Sequence, residues 1–215
     1  MPFLVVTTPA DDGQLLTIEE MRVAAGLAGD DDSRDEELEA IGISVAADIC
    51  SECNVAIGQG AEPTLLQETL TETFEFVRSP TLRLSRRHEV EIASITIDDE
   101  AADAESYRVD PEAGIVSRKA SADERGWIGT EVVVVYKAGF TEVPASLRQE
   151  ALDRFTAQLT AEERDPYIKG ETVDIPGVES RRVDYWAGDL PGTSSNGGAS
   201  QLSPALKRFL NVVVA

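Results

Sequence analysis

Histidine and cysteine are nearly missing: the 215 residues hold one His and two Cys, the types on which metal sites and acid/base or thiol catalysis draw most. Basic residues are scarce too, 19 Lys and Arg against 40 Asp and Glu, for a net charge of −21. A protein that binds nucleic acid or an anionic membrane by neutralising phosphates needs the opposite balance. Long apolar runs are absent, the longest being Val132–Tyr136, far below the ~20 residues of a membrane span. Met1 to Pro9 has no basic region or extended apolar stretch, so no secretion leader is expected and the chain reads as a soluble protein made in the cytoplasm. No Walker loop, G-x-G-x-x-G, G-x-S-x-G or H-E-x-x-H occurs, leaving no positive case for an enzyme.

What is present is enough to fold. Hydrophobic residues make up 42% of the chain, close to the globular average and above that of an acidic disordered chain. The acidity is polarised: residues 1–77 carry seventeen acids and two bases, while the last fifteen residues carry Lys207 and Arg208 and no acid.

Thr17-Ile18-Glu19-Glu20 fits a capping box and predicts a helix over 17–26. Ser33-Arg34-Asp35-Glu36 repeats the pattern, and Leu38, Ile41, Val45, Ile49 and Cys53 follow at helical spacing, predicting a long helix over 33–54. From Leu65 the period shortens to two, and a β-rich region extends to Lys137. It includes a hairpin, Tyr107–Asp110 with Ile115–Val116, turning through Pro111 to Gly114. A third helix is expected over 145–163, with Leu147, Ala151, Leu152, Phe155 and Leu159 on one face. The expectation is an α+β fold: a helical bundle with a β-rich insertion in a core of residues 1–165. A Gly/Pro/Ser-rich flexible arm should cover 166–200, and a short helix in 201–215, opened by Ser203-Pro204, should end the chain.

Candidate sites reduce to few. Cys50 and Cys53 have C-x-x-C spacing but fall near the end of a helix and lack a second ligand pair, so core packing is expected over zinc or redox chemistry. Asp30, Asp31, Asp32, Asp35 and Glu36 do not match a calcium loop, whose sixth and twelfth positions from Asp30 are here Asp35 and Ile41. Acids at a helix start are favoured by its dipole whatever the function. His88, within Arg86-Arg87-His88-Glu89, reads as a solvated side chain. Arg83, Arg86 and Arg87 form the concentrated basic patch, for which contact between subunits is preferred. No catalytic residue, cofactor or metal is expected.

Two N-terminal helices are followed by Glu91–Ile97, then Tyr107-Arg108-Val109-Asp110-Pro111-Glu112-Ala113-Gly114-Ile115-Val116, then Trp127. Val132-Val133-Val134-Val135-Tyr136-Lys137-Ala138-Gly139-Phe140 and Val143-Pro144 lead into the third helix. This order, over about Thr17 to Leu159, resembles the head-tail connector, or adaptor, proteins of long-tailed phages and gene transfer agents. The resemblance implies a structural ring of about twelve copies beneath a portal, extending the DNA channel and offering the tail or a stopper its attachment surface. It implies a portal-docking segment at the C-terminus, here Leu202, Leu206, Lys207, Arg208, Phe209 and Leu210. The acids at 30–36 become candidates for facing a channel through which duplex DNA passes unheld. The rivals are a tail terminator or stopper ring, whose strands should outweigh its helices, and a small carboxylate-dependent enzyme.

Overall fold

The computed structural model describes residues 2–119, 126–162, 170–175, 179–184 and 203–211. Among them lie three α-helices and antiparallel sheets. Helix α1 (Ile18–Ala24) begins with the expected capping box: Glu20 N–H donates to Thr17 Oγ1 at 3.3 Å and Thr17 N–H to Glu20 Oε2 at 2.9 Å. Helix α2 (Asp35–Glu52) has its cap at Arg34, one residue beyond the Ser33 that the second box predicts, and no side chain caps it. Asp35 is instead taken by Arg22 of α1, which also donates to Gly29 O at 2.7 Å. Helix α3 (Ala145–Glu162) follows Pro144 as expected.

The three helices pack on one another, burying Met21, Leu38, Ile41, Ile49, Leu147 and Phe155. Arg154 of α3 clasps Glu52 of α2 through two hydrogen bonds of 2.9 and 2.8 Å.

A second core lies within β-structure. Strands β1 (Phe3–Thr8), β2 (Glu68–Ser79), β3 (Thr81–Arg83), β4 (Glu91–Ile97), β5 (Glu100–Ala101), β6 (Tyr107–Asp110), β7 (Ile115–Arg118) and β8 (Trp127–Ala138) form two sheets. The larger has the order β1-β2-β8-β4-β5 and the smaller β3-β7-β6. One apolar cluster, with Leu82 and Val116 from the smaller sheet and Leu70, Ile95, Val132, Val134 and Tyr136 from the larger, joins them. Ile92 and Ile95 are three apart, which in a regular strand would place them on opposite faces. A register shift between Ile92 and Ser94 corrects this, so both pair with even-numbered residues of β8, Tyr136 and Val134.

The hairpin turns through 111–114 as expected, Asp110 Oδ1 accepting from the N–H of Glu112 and Ala113. Three features differ from the sequence expectation. Strand β1 lies in the segment read only for a leader; its Leu4 and Val6 alternate into the core. Strands β9 (Gly170–Ile175) and β10 (Glu179–Asp184) pair as a hairpin within the stretch expected to be a flexible arm. Strand residues also outnumber helical ones among the described residues.

Gly139, in the Tyr136-Lys137-Ala138-Gly139-Phe140 turn, has φ +103°, and a Cβ there would lie 2.2 Å from Leu66 O. Both the left-handed conformation and the backbone contact demand glycine. Gly139→Ala should therefore cost about 3 kcal/mol of stability or more, measurable by urea denaturation.

Candidate functional site

The sequence patch at Arg83–His88 becomes a seam between the two cores. From Leu82 to Val90 alternate residues are buried: Leu82, Leu84, Arg86, His88 and Val90. Arg83 stays exposed, as expected of a surface contact, but Arg86 and Arg87 turn onto their own chain. Arg86, 4% exposed, donates to Thr64 O and lies 3.2 Å from Glu68 Oε2 on β2. Burial pushes the Arg86 pKa down and the Glu68 pKa up, each opposed by the charge of the other. Beside them Glu72, fully buried, accepts from Ser85 N–H at 3.0 Å, Ser85 Oγ at 2.6 Å and Tyr136 Oη at 2.8 Å. Desolvation raises the Glu72 carboxyl, while those three donors hold it down.

His88 is also buried, correcting the expectation of a solvated side chain. Its ring stacks on Phe140 at 4.7 Å and meets Phe209 edge-on at 5.9 Å, and Nδ1 lies 3.4 Å from Glu112 Oε2. His88 and Glu89 both have positive φ, 69° and 48°, a backbone cost that the surroundings must hold in place. They do: Gly139 N–H donates to His88 O, and Glu89 Oε2 accepts from the Thr141 N–H and hydroxyl. The void at the seam, lined by Arg86, Arg87, His88 and Asn211 among others, is about 10 Å³, room for one water-sized group.

The C-terminal segment closes this seam. Leu206 and Phe209, expected to dock on a partner, are buried in the chain's own helical core. Ser203 opens a single 3-10 turn, Leu206–Phe209, by accepting the Leu206 N–H. Arg87 Nη1 donates to Leu210 O at 2.7 Å and Nη2 to Arg208 O at 3.3 Å, while Asn211 N–H donates to Cys53 O at 2.8 Å. Arg208 lies over the Phe209 ring at 4.6 Å, Lys207 is exposed, and Leu202 lies outside the described residues. Burying the two apolar side chains contributes about 2–3 kcal/mol each, and the three hydrogen bonds about 1 kcal/mol each. Ordering residues 203–211 costs about 1–2 kcal/mol of backbone freedom per residue, which opposes these gains.

The remaining sequence candidates separate. Asp35 is held by Arg22 and its carboxyl is kept below the usual range by that bond. Asp31 caps Ser33 N–H; Asp30, Asp32 and Glu36 are exposed. Cys50 and Cys53 are buried free thiols, pushed by desolvation up to about 11 and about 12, and are inert as nucleophiles. Among the described residues no group of three His, Cys, Asp or Glu could hold a metal ion, and no helix is long and apolar enough to cross a membrane. Phe76 and Ile128 escaped the sequence reading: they are 80% and 62% exposed on β2 and β8, where Ile128 pairs with Arg78, two residues from Phe76.

No protein-family model matches the sequence, and no curated protein does. A solved structure does match, from the neck of an empty GTA particle computed with C6 symmetry. The likeness covers 99% of this chain and 97% of that one, at a TM-score of 0.58 and 14% identity. The fold is that of a particle-neck chain. At this identity it is the fold that is shared, from β1 to the C-terminal segment.

Two outcomes follow from the seam. Burial and the Arg87 charge lower the His88 pKa from 6.5, against the pull of Glu112. The single histidine should therefore titrate below 6.5 in an NMR pH series. Its lowered folded pKa makes the unfolded state bind the proton first, so its contribution to stability is lost as pH falls from 6.5 towards the folded value. That part of the slope should vanish in His88→Gln. Arg86→Met, which strands Glu68 in the interior, should cost about 3–5 kcal/mol in chemical denaturation. Adding Glu68→Leu should recover much of it.

Proposed function

We propose that this chain is a structural component of the neck of a virus-like particle, a gene transfer agent or a long-tailed phage, and has no catalytic role. The observation that carries the reading is the end-to-end likeness to a GTA neck chain, with almost all of both chains aligned. It agrees with the order of motifs from Thr17 to Leu159 that resembles the connector proteins. In this reading the protein assembles as a ring of about twelve copies between portal and tail, twelve being a multiple of the sixfold symmetry applied to the neighbour's particle. The ring extends the DNA channel and presents the surface for the tail or a stopper, and is put together in the host cytoplasm.

The charge of −21 supports passage of duplex DNA without adhesion. Asp30, Asp32 and Glu36, exposed at the start of α2, are the acids proposed to face the channel. Arg83 is the basic side chain of its patch still offered to a neighbouring subunit.

The excess of strand over helix favours a second reading, a stopper or terminator ring in the same neck. Electron microscopy of the full chain mixed with portal rings separates the two. Rotationally symmetric density on bare portal is expected of an adaptor; attachment only after another neck protein has bound would replace it by the stopper. Failure to join any portal or neck assembly would overturn both. In a filter assay at physiological salt the chain should retain no duplex DNA, and tight retention would contradict the channel role.

A further inference from the structure

The C-terminal segment is attached to its own core by contacts that another copy could supply unchanged. Leu206 and Phe209 fill an apolar recess, Arg87 takes two of the segment's carbonyls and Cys53 O takes the Asn211 N–H. Nothing in that set depends on the segment and the recess belonging to one chain. We propose that the recess is an exchange site between copies, accepting residues 203–211 of a second chain of this protein in place of its own.

Three observations favour a second copy as the occupant. The first is reach. Residues 185–202 separate the β9–β10 hairpin from the segment, and eighteen residues can extend to about 60 Å. A folded core of some 165 residues is about 40 Å across, so the connector can bridge to a neighbour.

The second is charge. The last fifteen residues carry Lys207 and Arg208 and no acid, on a chain of net −21. Such a segment is attracted to the acidic body of another copy as it is to its own, and because exchange is reciprocal the net charge of each body is unchanged. The third is construction. The loop that offers Arg87 and His88 to the segment runs through two consecutive non-glycine residues of positive φ, strain of a kind concentrated at binding surfaces. The same contacts are made in cis and in trans, so exchange forfeits none of them, and swapping an identical element is a low-cost route to association. Around a closed ring each copy would give a segment and receive one.

The inference goes beyond the neck reading and is tested with this chain alone. One full-length variant, Phe209→Asp, cannot fill a recess but keeps its own. A second, Arg87→Glu, loses the clasp but keeps an intact segment. Each alone should sediment as a single 23.2 kDa chain. Their mixture should form a one-to-one complex of twice that mass, its fraction rising with concentration. A mixture that stays monomeric while both variants keep their near-UV circular dichroism would overturn the proposal. Where the charged changes unfold the chain, Phe209→Ala with Arg87→Gln is read the same way. Fluorescent peptide 201–215 added to wild-type protein supplies a check without substitutions: rising anisotropy supports exchange, and a flat titration opposes it. Capture of the peptide by portal rings but not by this chain would replace the second copy with a partner protein.

Discussion

A guanidinium enclosed between two hydrophobic cores sets the terms for the structure around it. Among the described residues Arg86 has only Thr64 O and the Glu68 carboxylate to replace water, and a buried cation without a partner is far more costly than the pair. Glu68 must therefore face inward at the start of β2. With a period of two this turns Leu70 and Glu72 inward as well. Slipping β2 by one residue would bring Thr69 to the seam, send Glu68 to the other face and take Glu72 from Ser85 and Tyr136. The ion pair thus adds little net stability compared with an apolar pair of the same shape, yet it discriminates strongly against the wrong register.

The same constraint explains the unusual backbone beyond it. Once Arg86 is fixed, the chain has four residues, Arg87 to Val90, before it must return as β4. It does so with His88 and Glu89 in the left-handed region. Hydrogen bonds from Gly139 and Thr141 tie that turn to the passage from β8 into α3. Helix α3, the sheet and the segment at 203–211 therefore meet at one short stretch. Gly139 is irreplaceable there for a reason visible only in three dimensions: Leu66 O occupies the place of its Cβ.

Much of the fold was legible because it rests on local rules. The Thr17 capping box, the apolar face of α3, the hairpin at 111–114 and the glycine turn after β8 each depend on residues close in sequence. The seam was not, because a run of arginines reads as an outward-facing contact patch unless the period is noticed. Leu82, Leu84, Arg86, His88 and Val90 alternate with Arg83, Ser85, Arg87 and Glu89, and that alternation was the available signal. Ser33 failed as a cap: the N–H that a capping box would give to Glu36 donates instead to Asp31 Oδ1. Strand β1 carried an alternation of its own but was read only for a leader. The terminal segment was read as a docking piece, whereas its burial in its own core follows from contacts with Arg87, Cys53 and Phe140 that lie far away in sequence.

A segment whose contacts can be made on its own chain or on another copy has a consequence for any assembly this protein enters. Leu206 and Phe209 belong to the helical core, so that core is complete only when its recess holds a segment, its own or that of another copy. The ordering cost of the segment is met in whichever recess it fills. Copies of an acidic chain repel at a distance, and a cationic segment acts mainly after they have been brought close. A neck would bring them close, whether by portal or by neighbouring subunits. Under those conditions the proposed exchange would link identical copies through Leu206, Phe209 and the two carbonyls that Arg87 holds.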